Sequence, residues 1–267
     1  MQNDPFSQFK AAQREGWALF VPLEAYTTPA AARLVDFARV QRGEKLLDVG
    51  CGTGVVAVTA ARAGARVDAL DLSPVLLERA RWNAGTAGIA IEFTEGDVEA
   101  LPYPDASFDV VLSQYGHMFA PRPEIAVAEM LRVLKPSGRI AFSTWPPELF
   151  IGCMFNLVGQ YLPLPAGVPP VALWGDPNVV RERLADKVAD MTFEREAMYI
   201  PALSPQHARE AFEATAAPVV KVVQTLKDDP ERLARFRAEL EALIATFTKG
   251  NLVRQQYLMT RATKLAS

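Results

Sequence analysis

The sequence predicts an α/β fold with a doubly wound, mostly parallel sheet, and three observations support this prediction. From about residue 30 to residue 146, short apolar runs that suit buried strands alternate with longer stretches of helical periodicity. A glycine-rich turn directly follows the first apolar run. The chain has 267 residues, of which 50% are hydrophobic, and this is enough for one full core. Because parallel strands need crossover connections, the alternation indicates helices on both faces of the sheet.

The helices and strands of the first half of the chain are predicted from the periodicity of apolar residues and from the residue types at the ends of each element. Helices are predicted near residues 30–40, 53–63, 74–87 and 123–134, and strands near 45–49, 65–70, 89–94, 108–113 and 138–144. Ser73 and Pro74 are typical of a helix start, with serine as the N-cap and proline at the first helical position. In such a sheet the ligand is expected at the carboxyl ends of the strands, where the strand order reverses.

The pattern changes after residue 146. A helix at 148–162 leads into a proline-rich segment at 163–170, and Asp176-Pro177 begins another helix. Residues 191–200 are predicted to form a strand, and residues 253–264 a last strand. Between them, Ser204-Pro205 and Asp229-Pro230 each predict a helix start, so two helices are expected over about 204–249.

The turn after the first strand has the pattern D-x-G-x-G-x-G over residues 48–54. Its glycines allow a ligand to approach the backbone closely, with amide N–H groups expected to point outward. A dinucleotide fingerprint would require glycine at position 55, which is Val55. Asp48 would also repel a pyrophosphate. An acid inside the turn suits a ligand with an ammonium group, such as S-adenosylmethionine, which carries an amino acid end and no phosphate.

Four segments in chain order resemble the class I S-adenosylmethionine-dependent methyltransferases, in particular the small-molecule branch related to quinone-biosynthesis methylases. They are DVGCGTG at 48–54, VDALDLS at 67–73, GDVEALPYPDASFDVV at 96–111 and LRVLKPSGRI at 131–140. The resemblance covers about residues 30–146 and continues more weakly to about 263. It implies a single domain over 1–267, with a seven-stranded sheet whose last strand is antiparallel. It also implies a cofactor-binding core at 30–146 and helical cap elements at 147–190 and 204–249 over the acceptor site.

The resemblance also implies the cofactor contacts. Asp71 is expected to accept hydrogen bonds from both ribose hydroxyls, Asp97 and the Val98 N–H to contact the adenine, and Ser113 and Gln114 to line the methionine part. The complete predicted set is Asp48, Gly50, Cys51, Gly52, Asp71, Leu72, Asp97, Val98, Ser113 and Gln114.

His117 is the candidate general base, since it follows the fourth strand and histidine titrates near neutrality. The alternative for His117 is a loop histidine that faces solvent or caps a helix. No other residue is a firm catalytic candidate.

Composition excludes several classes of protein. The net charge is −3 and no long basic run occurs, which argues against nucleic-acid binding. Two cysteines, Cys51 and Cys153, cannot form a disulfide framework, and with two histidines they make a zinc site improbable. The sequence has neither an apolar segment near residues 1–10 nor an 18-residue uncharged apolar stretch, so a soluble cytoplasmic protein that binds no membrane is expected.

The function predicted from these observations is methyl transfer from S-adenosylmethionine to an O, N or C nucleophile of a small acceptor. Aromatic and apolar residues around the predicted cap favour an apolar or aromatic acceptor, and no metal is expected. Two alternatives stay open: an oxidoreductase with an irregular dinucleotide turn, and a regulatory or interaction protein that binds S-adenosylmethionine without turnover. The oligomeric state is not predicted.

Overall fold

The computed structural model describes residues 4–266, so residues 1–3 and 267 of the predicted domain lie outside the described part. The strands are β1 (Lys45–Val49), β2 (Arg66–Asp71), β3 (Glu92–Glu95), β4 (Phe108–Gln114), β5 (Leu134–Thr144), β6 (Val188–Pro201), β7 (Thr248–Lys249) and β8 (Leu252–Lys264). The helices are α1 (Ser7–Gly16), α2 (Glu24–Phe37), α3 (Val55–Arg62), α4 (Pro74–Thr86), α5 (Pro123–Val133), α6 (Phe150–Tyr161), α7 (Pro177–Leu184), α8 (Pro205–Thr215), α9 (Ala217–Thr225) and α10 (Pro230–Thr246). Short 3₁₀ segments occupy Trp17–Leu23, His117–Phe119 and Val171–Gly175.

Seven strands form one sheet in the order β3-β2-β1-β4-β5-β8-β6, and the short β7 pairs with β8 outside this path. Neighbours among β1 to β5 are parallel. Strand β8 lies between β5 and β6 and runs antiparallel to both. The predicted doubly wound, seven-stranded, mostly parallel sheet with an antiparallel last strand is therefore confirmed.

The strand interiors are buried because the sheet is covered on both faces. Leu46, Leu47 and Val49 of β1 are fully buried, as are the apolar residues 110–112 of β4. Near-continuous apolar runs of this kind are what parallel strands require. Among residues 4–266, no helix combines the length and the apolar character needed to cross a membrane.

The predicted helix starts rest on side-chain caps. Asp176, Ser204 and Asp229 each accept a hydrogen bond from a backbone N–H in the first turn of α7, α8 and α10, and each is followed by proline at the first or second helical position. Such a cap contributes about 1 kcal/mol.

Two helical regions differ from the prediction. Three helices, not two, lie between β6 and β8, because Pro218 in the first turn of α9 has no N–H and the chain starts a new helix there. Helix α2 begins at Glu24, six residues before the predicted start, and includes Pro29. The segment before it, unassigned from the sequence, forms α1 and a 3₁₀ segment.

A two-stranded arm extends beyond the carboxyl edge of the sheet. The pairing of β8 with β5 ends at Leu258 and Thr144, while residues 252–257 continue to pair with residues 196–201 of β6. We call these twelve residues the β6–β8 arm. At about 3.4 Å per residue, six residues extend roughly 20 Å, so the arm forms a wall beside the carboxyl ends of β4 and β5.

The end of β4 packs directly against the glycine turn after β1. Tyr115 has a left-handed φ of 62°, and the backbone of Gly116 lies so near Gly50 that a Cβ on Gly116 would be 2.5 Å from the Gly50 carbonyl oxygen. Only glycine allows this approach, which joins the two segments that border the cleft.

We predict that Gly116→Ala lowers the free energy of unfolding by about 1–3 kcal/mol, because an inserted methyl group must displace backbone atoms. The matched control is Gly85→Ala in α4, where a Cβ meets no atom within 4 Å and stability should be unchanged or slightly higher. Urea denaturation measures both, and equal effects of the two substitutions would contradict the close approach.

Candidate active site

A single cleft runs along the carboxyl edge of the sheet. Its volume is about 1590 Å³, a figure that includes the open space at its mouth. Asp48, Asp71 and Asp97 line the end near β1, β2 and β3, which we call the acidic half. The other end lies against the β6–β8 arm and α6. We call it the apolar half, and its walls include Trp145, Ile151, Met154, Phe155, Met198, Ile200 and Phe212.

The cleft brings together most of the predicted site residues. His117 and nine of the ten predicted cofactor contacts line it: Asp48, Gly50, Cys51, Gly52, Asp71, Leu72, Asp97, Val98 and Gln114. Carboxyl ends of neighbouring parallel strands meet at one edge, which is why residues as far apart in the sequence as Asp48 and His117 line the same cleft.

The glycine turn offers close approach but few free donors. The N–H of Cys51 donates to the Leu70 carbonyl at 3.0 Å and that of Gly54 to the Cys51 carbonyl at 2.9 Å. The Gly52 N–H donates to Asp71 Oδ2 at 2.8 Å. The expectation of outward-pointing amides is wrong for these three residues, because the Cys51 and Gly52 amides bind the turn to β2 and the Gly54 amide closes the turn on itself. A phosphate cradle needs such amides free, so the geometry argues against the dinucleotide alternative.

Asp48 lies beneath the turn and is fully buried. Its Oδ2 accepts a hydrogen bond from the Ala57 N–H at 3.0 Å and so satisfies an N–H in the first turn of α3. Its Oδ1 has no hydrogen-bond partner among residues 4–266. Burial, with a smaller contribution from the nearby Asp71 charge, raises the pKa of Asp48 to about 8.

Gln114 presents a second unpaired oxygen. Its Nε2 donates to the Thr27 carbonyl at 3.0 Å, while its buried Oε1 has no partner in the described part of the chain. Asp48 pairs in register with Leu112, and Gln114 is two residues further along β4. The Asp48 and Gln114 side chains therefore leave the same face of the sheet.

Asp71 ends β2 and connects two loops. Its Oδ1 accepts from the Ser73 N–H at 2.8 Å, and its Oδ2 accepts from Gly52. Burial raises the pKa of Asp71, partly opposed by these hydrogen bonds. A carboxylate has about four acceptor positions, so two stay available toward the cleft.

Ser113 does not line the cleft, in contrast to the prediction. It is fully buried; its hydroxyl donates to the Val49 carbonyl at 2.6 Å and accepts from the His117 N–H at 3.1 Å. Alternation along β4 turns Ser113 to the opposite face from Gln114. Ser113 therefore supports the loop after β4 from below.

His117 lies in an environment that argues against its predicted role as a general base. Its side chain is only 1% exposed and packs between Phe142 and Trp174, with ring centroids 4.6 Å away on each side. Neither ring nitrogen has a partner among the described residues. Burial, with a contribution from the Arg183 charge, lowers the pKa of His117 to about 3. A group of such low basicity is a poor proton acceptor near neutral pH.

Helix α1 covers the acidic half through Lys10, a residue that the sequence gave no reason to select. Lys10 Nζ contacts Asp97 at 2.6 Å, Glu99 at 2.5 Å and Asp4 at 2.8 Å. The three carboxylates are close enough together to share one cation; the Lys10 ammonium contacts all three, and Arg122 also pairs with Glu99 at 2.6 Å and with Asp4 at 3.2 Å. Hydrogen bonds from Lys10 to these acids outweigh the effect of burial and raise its pKa. The predicted adenine contact Asp97 is therefore bound to α1.

Aromatic rings line the boundary of the apolar half. Tyr115 stacks on Trp145 with centroids 4.1 Å apart and planes at 15°, and its hydroxyl lies 3.9 Å from Met198 Sδ. Burial raises the pKa of Tyr115 well above its usual value. Trp17, in the 3₁₀ segment after α1, contacts Phe119 edge to face at 4.5 Å, and both rings line the cleft.

We predict that Lys10→Met weakens the packing of α1 and the following 3₁₀ segment over the acidic half. The substitution removes the ammonium that Asp97, Glu99 and Asp4 share. Arg122 still pairs with Glu99 and Asp4, but the ion pairs that hold α1 to Asp97 and Glu99 are lost. Because removing one partner of a buried ion pair is destabilising, amide hydrogen exchange in residues 7–23 should become at least tenfold faster.

The matched control is Arg14→Met in the same helix, since the Arg14–Glu95 ion pair is half exposed and contributes little. Unchanged amide exchange in Lys10→Met would contradict the claim that Lys10 holds α1 over the acidic half.

We predict a pH-dependent stability effect of His117. Its folded pKa of about 3 lies below the unfolded value, so the unfolded chain binds the proton first. The contribution of neutral His117 to the free energy of unfolding is fully present above the unfolded pKa. It falls by about 1.4 kcal/mol per pH unit as the pH drops below about 6.5. Between pH 7 and pH 5, His117→Leu should lose about 2 kcal/mol less than the wild type.

His207→Leu is the control for this measurement, because it replaces the other histidine of the chain, whose side chain is exposed. Urea denaturation at each pH gives the values. The same pH dependence in His117→Leu and in the wild type would show that His117 titrates normally.

Comparisons with known proteins agree with this geometry. Residues 47–142 match a family model described as "Methyltransferase domain". An uncharacterized protein of Mycobacterium tuberculosis is 34% identical over 256 residues, covering 94% of this chain and 93% of that protein. Demethylmenaquinone methyltransferase of Deinococcus radiodurans is 38% identical over 122 residues, or 44% of this chain and 51% of that enzyme.

Solved structures share the fold at low identity. A candidate methyltransferase of Bacillus halodurans superposes with a TM-score of 0.61 at 19% identity, covering 88% of this chain and 99% of that chain. The YcgJ protein of Bacillus subtilis gives a TM-score of 0.59 at 18% identity, covering 89% of this chain and 98% of that chain. These structures show the shared fold, and the family model and the demethylmenaquinone methyltransferase relative show that the chain is a methyltransferase of the class I S-adenosylmethionine-dependent family, with quinone-biosynthesis methylases among its relatives.

Proposed function

We propose that the chain binds S-adenosylmethionine in the acidic half of the cleft and methylates a small apolar or aromatic acceptor in the apolar half. The observation that carries this proposal is the pair of unpaired, buried oxygens Asp48 Oδ1 and Gln114 Oε1 on one face of the sheet. Buried acceptors without partners are costly and rare in native proteins, so a donor-bearing ligand is expected beside them.

The methionine end of the cofactor fits these two oxygens. An ammonium group has three donors and no acceptor, which matches two acceptors that no protein donor satisfies. An ionised Asp48 would also supply the opposite charge. The occupied amides of the turn suit the same ligand, because S-adenosylmethionine has no phosphate that would need them.

The rest of the acidic half fits the nucleoside. Asp71 keeps two acceptor positions for the ribose hydroxyls after binding Gly52 and Ser73, and a carboxylate bound to a diol is geometrically selective. Leu72 and Val98 line the same region and offer apolar surface to the adenine. Lys10, bound to Asp97 and Glu99, would hold α1 over the bound nucleoside.

The chain would act mainly by positioning. The bound cofactor supplies a methyl group on a positively charged sulfur, already activated toward a nucleophile. Trp17 and Phe119 cover the cleft and exclude water, while the walls of the apolar half orient the acceptor. Proximity and orientation of this kind contribute up to about 7–11 kcal/mol. In this proposal α6 and the segment of α8, α9 and α10 act as the cap predicted over the acceptor.

The acceptor is expected to supply a nucleophile that needs no protein base. His117 has a pKa of about 3, and the high pKa of Tyr115 leaves its phenol protonated. An acceptor that is already ionised, or that has a free lone pair at working pH, fits such a site. The binding-only alternative gains no support, because the apolar half is open rather than collapsed.

We predict that binding of S-adenosylhomocysteine at pH 7 releases close to one proton. Asp48 is mostly protonated in the free protein because its pKa is about 8, and a ligand ammonium beside Oδ1 lowers that pKa and ionises the carboxyl. Calorimetry in buffers of different ionisation enthalpy measures the release. Asp48→Asn, which keeps an acceptor for the Ala57 N–H, should bind at least tenfold more weakly without proton release.

NAD serves as the control ligand and should not bind. Buffer-independent enthalpy in the wild type would contradict the assignment of the ammonium to Asp48. Binding of NAD in place of S-adenosylhomocysteine would contradict the assignment of the acidic half as a whole.

A further inference from the structure

Gln255 is a polar side chain that the cofactor site does not explain. It lies in β8, is only 2% exposed and lines the cleft. Its amide Nε2 is buried without a hydrogen-bond partner among residues 4–266. Burying an unpaired amide destabilises the free protein, and a ligand that accepts a hydrogen bond from this amide removes that cost.

The strand order places Gln255 away from the cofactor contacts. Asp71 ends β2 and Asp97 follows β3, both on one side of β4, whereas Gln255 belongs to the β6–β8 arm on the other side. Its register partner is Met198, which contacts the Tyr115 hydroxyl through its sulfur. Gln255 therefore belongs to the apolar half, beyond the point where the methyl group would be transferred.

The surroundings of Gln255 indicate the shape of the ligand. Tyr115 and Trp145 line the cleft and form a stacked pair. The buried Tyr257, the next residue on the same face of β8, supports both rings through edge-to-face contacts at 5.8 and 6.2 Å. Flat aromatic walls suit a planar aromatic ligand. An amide donor at the end of such walls selects an oxygen substituent on that ring. A hydroxyl can pair with either the NH₂ group or the carbonyl oxygen of the amide, because it both donates and accepts.

We propose that Gln255 determines acceptor specificity by hydrogen bonding an oxygen substituent on a planar aromatic acceptor. This inference rests on the proposed function and deepens it by assigning the polar contact of the apolar half. A site built to bind a hydroxyl rejects the analogue that lacks it, since the buried polar group is then left unpaired.

The test compares 2-naphthol with naphthalene, measured by equilibrium dialysis against protein saturated with S-adenosylhomocysteine. The wild type should bind 2-naphthol at least tenfold more tightly than naphthalene. Gln255→Met, which keeps the side-chain length, should reduce that ratio to within twofold and leave the affinity for S-adenosylhomocysteine unchanged. Gln255→Asn, which keeps the amide but shortens its reach, should give an intermediate ratio.

Gln256→Met is the matched control. Gln256 is the next residue of β8, points to the opposite face and is partly exposed, so the wild-type ratio should persist. The affinity for S-adenosylhomocysteine also reports whether each variant is folded.

Failure of this inference differs from failure of the proposed function. If the wild type does not bind S-adenosylhomocysteine, the proposed function fails and this inference fails with it. If the cofactor product binds but 2-naphthol does not bind, or binds no better than naphthalene, the inference alone is overturned. The inference is equally overturned if Gln255→Met keeps the wild-type ratio. It is also overturned if the substitution instead lowers the affinity for S-adenosylhomocysteine, which would assign Gln255 to the cofactor site.

Discussion

The burial of Asp48 and Asp71 beneath the glycine turn is the constraint on which the site depends. Each carboxyl group leaves water, and burial raises the pKa of both. In return, Asp48 binds the first turn of α3, and Asp71 binds the turn after β1 and the start of α4. The two acids therefore make β1, β2 and their helices into one rigid unit that needs a ligand to satisfy its remaining acceptors.

The backbone contact between Gly50 and Gly116 extends this unit to β4. Because a Cβ on Gly116 would reach the Gly50 carbonyl, the loop after β4 is fixed against the turn, and Ser113 supports it from below. Gln114 and Tyr115 consequently lie where the acidic and apolar halves meet. The β6–β8 arm then closes the apolar side, so the order of the strands separates the two halves of the cleft.

Local sequence signals were sufficient for most of the fold. The strands of the parallel sheet were predictable from apolar runs, and α7, α8 and α10 from an N-cap followed by proline, because both signals depend on adjacent residues. The extra helix α9 was missed because its only signal is Pro218 in an otherwise continuous helical pattern. Helix α1 was not assigned from the sequence, and it is held by ion pairs with residues near position 97.

The site was predictable only where a motif coincides with a strand end. Asp48, Asp71 and Gln114 follow that rule and line the cleft. Lys10 and Gln255 reach the cleft from the first helix and the last strand, and no local pattern marks them. His117 had the right position but the wrong environment, since its pKa depends on Phe142 and Trp174, which are distant in sequence. Ser113 was misassigned because side chains alternate along a strand.

A crystal structure of the complex with S-adenosylhomocysteine tests the central claim most directly. The account predicts the ligand ammonium within hydrogen-bond distance of both Asp48 Oδ1 and Gln114 Oε1, with the ribose hydroxyls on Asp71 and open space between the sulfur and Gln255. A ligand whose ammonium contacts neither oxygen, or whose adenosine occupies the apolar half, would contradict the account.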